Sequence, residues 1–204
     1  MIFYPSYFAP VAQYVAMTQA TEIWFESCDN FQKQTYRNRC CIYGPQGIQS
    51  LNIPVLKANS KQPTKDVRID QSSSWQQQHL KAIAAAYNSS PFYEYFDREL
   101  KELFMIKTTF LLDFTLKCHE FIAEALPLEL PEYSLTEQYE KECGEPDDFR
   151  FLVNAKSNKR FDFSRYVQVF SDRHGFIENL SILDLLFAEG GNTANYLESQ
   201  TIHP

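Results

Sequence analysis

Glycine is scarce, at 6 residues in 204, and the glycine-built phosphate loops are missing with it. There is no Gly-x-x-x-x-Gly-Lys-Ser/Thr, no Gly-x-Gly-x-x-Gly and no Gly-x-Ser-x-Gly. That argues against phosphate-loop ATPases, dinucleotide-binding Rossmann enzymes and ordinary α/β-hydrolases. No Cys-x-x-Cys occurs, and His79, His119, His174 and His203 are scattered, so neither a metal site nor a cofactor is expected. Positive charge is short: 19 Lys and Arg face 26 Asp and Glu, a net charge of −7. An acidic chain has no general affinity for nucleic acid or anionic membranes. No apolar run nears the roughly 20 residues that span a bilayer. Cys28, Cys40, Cys41, Cys118 and Cys143 form no disulfide framework and read as free thiols of a reducing compartment. The N-terminal apolar stretch lacks a basic leader and is interrupted by Pro5 and Pro10; a cytoplasmic protein is expected.

Aromatic residues, by contrast, are abundant: 17 Phe, 12 Tyr and 2 Trp. The apolar pattern predicts a strand within residues 2–8, a helix starting at Pro10 and a buried strand at 22–26, a β-α-β opening. Residues 39–43 and 48–55 flank Gly44-Pro45-Gln46-Gly47 and predict a hairpin. A polar loop follows at 57–66, then a short strand at 67–70. A serine of the 72–74 run would cap a helix over 75–87, ended by Pro91. Leu100, Phe104, Leu111, Phe114, Cys118 and Phe121 keep a helical period, predicting one long helix over 97–125. Residues 166–170 read as a strand, and 181–187 and 193–197 as short helices. The expected fold is α/β: a single domain over 1–204, with a mixed sheet opened by the β-α-β unit and a largely helical second half.

The densest polar cluster is Lys33-Gln34-Thr35-Tyr36-Arg37-Asn38-Arg39. If extended, it projects Lys33, Arg37 and Arg39 from one face and Gln34, Tyr36 and Asn38 from the other. Three cations on one face suit a phosphate or carboxylate; a solvated edge strand that resists aggregation is the alternative. His79 shares an apolar helical face with Trp75 and Ile83, and is either a hydrogen-bonded core histidine or a general base. His174, at a predicted turn, is the second candidate; His119 and His203 are set aside. Glu26 and Asp29 follow the second strand, at the end where parallel sheets gather ligands. Cys28 between them lacks a base and is not expected to be a nucleophile.

Several stretches resemble the WbqC-like family of bacterial proteins. They are Pro5-Ser6-Tyr7-Phe8-Ala9-Pro10 with Tyr14, the 32–39 cluster, Leu51-Asn52-Ile53-Pro54-Val55, and Trp75 with His79 and Tyr87. Further along come Ser90 to Tyr95, Tyr166 to Phe170, His174-Gly175-Phe176 and Asn179 to Phe187. They run in family order over nearly the whole chain, with residues 127–160 the exception. A histidine often stands in the family where this chain has Cys28, and a glycine where it has Ala9. The family takes its name from a gene in a surface-polysaccharide cluster. The resemblance therefore implies an enzyme of O-antigen-type biosynthesis, a group transferase moving an acyl or aminoacyl group onto an amino sugar or nucleotide-sugar. A non-catalytic module binding a nucleotide-sugar or a protein of the same pathway is the alternative. Expected catalytic residues are His79, His174 and Glu26. Expected binding residues are Lys33, Gln34, Tyr36, Arg37, Asn38, Arg39, Tyr7 and Trp75, and the expected partner is a small anionic substrate.

Overall fold

The computed structural model describes residues 1–57, 61–141, 147–157 and 159–202. The opening is the expected crossover. Strand β1 (Ile2–Phe3) runs parallel to β2 (Ile23–Phe25), pairing Ile2 with Trp24 and Phe3 with Phe25. Helix α1 (Val11–Thr18) connects them, with Pro10 at its N-cap. Pro10 has no N–H to leave unsatisfied there, and its φ of −65° already suits a helix start. On its other edge β2 takes a third parallel strand, β5 (Tyr133–Leu135). β2 is thus the central strand: Ile23 and Phe25 point into the core and Trp24 points out.

Strands β3 (Arg39–Gly44) and β4 (Gly47–Asn52) form a separate antiparallel hairpin. Gly47, at φ +100°, closes its turn in a region that side chains avoid. Parallel and antiparallel pairing both occur, divided between these two sheets. Helix α2 (Trp75–Tyr87) lies where the alanine-rich segment predicts it, although Ser74 at its N-cap makes no side-chain capping bond. The helical second half is completed by α3 (Tyr93–Met105), α4 (Leu111–Ala125), α5 (Ser171–His174), α6 (Ile182–Glu189) and α7 (Thr193–Ser199). Phe3, Phe25, Tyr14, Ile42, Phe114 and Leu186 all belong to one buried cluster.

Several expectations need correction. The long helix over 97–125 is broken into α3 and α4. The link between them is drawn out straight: Thr109 accepts from the Ile69 N–H, Leu111 donates to the Val67 carbonyl, and Phe110 bridges Arg68. Those bonds claim the backbone groups that a continuous helix would need. The predicted strand at 67–70 is present only as isolated bridges. Residues 166–170 join no ladder, because side chains take over the pairing. Gln168 accepts from the Ile177 N–H at 2.8 Å and donates to the Ile177 carbonyl at 2.9 Å, so one amide stands in for a neighbouring strand. Among the described residues, Cys28, Cys40, Cys41 and Cys118 are free thiols. Cys143, His203 and part of the 57–66 loop lie outside the described residues.

Candidate functional site

The carboxyl ends of the three parallel strands meet at one edge of the sheet. Tyr4 follows β1, the 26–29 segment follows β2, and Thr136 follows β5. Hydrogen bonds knit this edge together. Thr136 Oγ1 donates to Glu26 Oε1 at 2.9 Å, the Cys28 N–H donates to the same oxygen at 2.7 Å, and the Ser27 N–H donates to Thr136 Oγ1 at 3.1 Å. Both carboxylates expected at the strand end are there, and both are buried: Glu26 is 0% exposed and Asp29 3%.

The 33–39 cluster is not a strand. It turns repeatedly, with Gln34 at φ +64°, and only Arg39 enters β3. Its three cations therefore do not share a face. Arg37 is driven inward and is 1% exposed. Its guanidinium lies over the Tyr4 ring, 3.7 Å from the centroid. Nη2 donates to Asp29 Oδ2 at 2.5 Å and Nη1 to Thr35 Oγ1 at 3.3 Å. Thr64 Oγ1 donates to the second oxygen of Asp29 at 2.5 Å. Arg37 Nε is buried without a hydrogen-bond partner. Burial first, and then the Asp29 charge, push the Tyr4 phenol well above its ordinary value, so it stays protonated.

Arg150 stands beside this pair, in the tight turn Arg150–Val153. It grips Asp148 with two bonds, Nε to Oδ1 at 2.8 Å and Nη2 to Oδ2 at 2.6 Å. Its Nη1 donates to the Glu140 carbonyl at 2.6 Å and lies 3.9 Å from Glu26 Oε2. Burial raises the Asp148 carboxyl, but its bonds to Arg150 outweigh this and hold it below the usual range.

In front of Arg37 and Arg150 opens a cleft of about 680 Å³. Lys33, Lys141 and Lys156 join the two arginines along its wall, and Asp148 is the one carboxylate among the described lining residues. Tyr4, Tyr139 and Phe151 supply aromatic surface, and Gln34 an amide. With five cations and one acid among the described residues of its lining, in a chain of net charge −7, the cleft can hold an oxyanion at short range.

Of the expected site residues, Lys33, Gln34 and Arg37 line this cleft, and Glu26 sits behind it across Arg150. The others lie elsewhere. Asn38 donates to the Ile53 carbonyl at 3.0 Å, and Arg39 Nε donates to Asn52 Oδ1 across the hairpin at 2.8 Å. Half-buried Tyr36 is tied through its backbone to Tyr7 and Val153. His79, Tyr7 and Trp75 form an aromatic nest in the core. His79 Nδ1 is 2.9 Å from the Tyr7 hydroxyl, and its ring stacks on Tyr7 and meets Trp75 edge-on. Burial, partly offset by a bond to the Asn52 backbone, lowers its pKa to about 4. The imidazole is therefore neutral near pH 7. His174 ends α5, and its Nε2 meets the Pro45 carbonyl at the hairpin tip at 3.0 Å. Arg39 and His79 thus do not line the cleft that Arg37 borders.

Tyr4, Lys141, Asp148, Arg150 and Lys156 escape a reading of the sequence. Tyr4 sits one residue ahead of the Pro5 motif, and the rest lie in the irregular 127–160 stretch, where no periodicity singles them out.

A family model described as the WbqC-like protein family matches residues 5–158. The match covers the five cations of the cleft and the 127–160 stretch as far as residue 158, and ends before Tyr166 and His174. Neither a curated protein nor a solved structure matches the chain.

Proposed function

The chain belongs to the WbqC-like protein family, and on that premise we propose that it serves the assembly of a bacterial surface polysaccharide. It binds an anionic sugar derivative such as a nucleotide-sugar in the cationic cleft and transfers an acyl or aminoacyl group to an amino sugar. One observation carries this reading: Arg37 Nε is buried without a partner in a cleft whose cations outnumber its acids. Leaving such an N–H unmatched is costly, and a phosphate oxygen supplies its acceptor.

In this reading Arg37 and Lys33 hold the phosphate, with Lys156 closing the opposite rim. Gln34 orients a sugar hydroxyl. Glu26, beside Arg150 at the back of the cleft, rather than His79 in the aromatic nest, takes the proton from the attacking amine; the acyl carbon bonds to nitrogen as its bond to the donor breaks, and the donor departs with that electron pair. The location of both candidate histidines outside the cleft favours a second reading, a binding module that performs no chemistry.

Calorimetric titration with UDP-N-acetylglucosamine tests the binding. Lys33 and Lys156 are exposed, so Lys33→Ala with Lys156→Ala leaves the fold intact. Affinity is expected to fall about tenfold for each phosphate contact removed; unchanged affinity in the double variant overturns the assignment. Acyl transfer to an amino sugar by wild-type protein, lost in Glu26→Gln, separates enzyme from binding module.

A further inference from the structure

We infer that a second cleft, on the far side of Arg150, binds a protonated primary amine carried on a sugar ring. This cleft measures about 690 Å³ and has the opposite charge. Glu22, Glu26, Glu137, Glu140 and Asp147 border it, and the cationic group on its lining, the Met1 amine, already donates to the Glu22 carbonyl at 2.7 Å.

Acidic side chains alone select no ligand, but two further features do. The first is Glu26. It is fully buried at the cleft, and its Oε2 accepts no hydrogen bond. The adjacent cation, Arg150 Nη1, is 3.9 Å away, beyond hydrogen-bonding distance. A buried carboxylate oxygen without a donor is costly, and an ammonium group brings three donors. The second feature is Trp24. As the outward-facing residue of β2 it is 41% exposed, and its Nε1 donates to Glu22 Oε2 at 3.4 Å. An indole face attracts a cation, and it also packs against the C–H face of a pyranose.

A bare metal ion is the rival occupant of an acidic cleft. Among the described residues no group of three His, Cys, Asp or Glu side chains is close enough to ligate one. Carboxylates spread around an open cleft, roomy enough for a sugar ring, suit an organic cation with hydroxyls to satisfy, which is an amino sugar. That this is the acceptor's cleft rests on the function proposed above; its affinity for the amine does not.

Tryptophan emission reads the test directly, because Trp75 is buried and Trp24 carries the response. Glucosamine is expected to give a saturable change that Trp24→Phe abolishes. Glucose and N-acetylglucosamine, which lack the charged amine, are expected to bind at least about tenfold more weakly. Glu26→Gln should cost about tenfold in glucosamine affinity. Because Glu26 is buried, exposed Glu137→Gln provides the safe variant, with a smaller loss. Equal responses to the three sugars, no response to glucosamine, or full affinity in folded Glu137→Gln and Glu26→Gln each overturn the inference. UDP-N-acetylglucosamine titrated into Glu137→Gln keeps the two sites distinguishable. Failure of the cationic cleft appears as lost nucleotide-sugar binding with the glucosamine response intact, and failure of the acidic cleft as the reverse.

Discussion

Asp29 and Asp184 are buried to nearly the same degree, 3% and 2% exposed, yet they are satisfied in opposite ways. Asp29 faces a full positive charge, the Arg37 guanidinium, with one hydroxyl in support. Asp184, on α6, meets no cation among the described residues. It accepts from the Tyr87 hydroxyl at 2.8 Å, the Tyr166 hydroxyl at 2.7 Å and the Gln168 amide at 2.8 Å. Burial therefore raises the Asp184 carboxyl above its ordinary value, although those three donors pull the other way. The carboxylate beside the cleft anchors a cation whose buried Nε has no hydrogen-bond partner; the remote one ties α2 and α6 to the 166–177 segment. A buried acid marks a site here only where its partner has capacity left over.

Removing Asp29 should do the most damage. Asp29→Ala strands the Arg37 charge and is expected to cost about 3–5 kcal/mol, read from the urea midpoint. Adding Arg37→Met should recover most of that stability while nucleotide-sugar binding stays lost. If binding survives in the double variant, the pair is structural only.

Acid comes next. Burial lowers His79 and His119 from 6.5 to about 4, so on acidification the unfolded chain takes up protons before the folded one. Stability is whole above about pH 6.5 and drains towards pH 4, by at most about 3 kcal/mol for each imidazole. Asp184 works with the opposite sign, since its raised carboxyl regains a proton more readily in the folded state, and it trims the loss. Urea midpoints across this window should fall with pH, and His79→Phe should flatten the slope. An unchanged slope would place a charged imidazole in the nest.

Asp184→Ala leaves three donors bare and should cost about 2–3 kcal/mol without touching nucleotide-sugar affinity. A binding defect in a folded Asp184 variant would break the contrast between the two acids. Tyr7→Phe, which removes the bond to His79 Nδ1, should cost about 1 kcal/mol. Smallest of all, Lys33→Ala should leave stability within about 0.5 kcal/mol while affecting ligand binding.

What was legible in the sequence had short-range periodicity behind it. The β1–α1–β2 crossover, the hairpin around Gly44 to Gly47 and helix α2 each follow from local pattern and turn chemistry. The site was half legible. Arg37 was singled out for its charge, but its role depends on being pulled inside by Asp29 and Tyr4, which no strand alternation foretells. His79 has a catalyst's residue type and a core residue's surroundings, and only the packing of Tyr7 and Trp75 around it decides between them. Arg150 carries no motif. Its importance comes from a fold that brings an irregular stretch back beside β2. The break between α3 and α4 was hidden for the same reason, because backbone bonds to residues 67–69 override a continuous apolar stripe.

The parallel register of the three-stranded sheet also governs when the protein can become itself. Ile23 pairs with Tyr133, and Glu26 has Arg150 beside it, so neither contact exists until most of the chain has left the ribosome. Such distant pairings slow folding. The hairpin and α2, whose own backbone hydrogen bonds are local, can form on the nascent chain, whereas the parallel sheet and both clefts are late arrivals. A truncated or stalled product would carry helices and a hairpin but no site, with Phe3, Ile23 and Phe25 bared for aggregation or for chaperones.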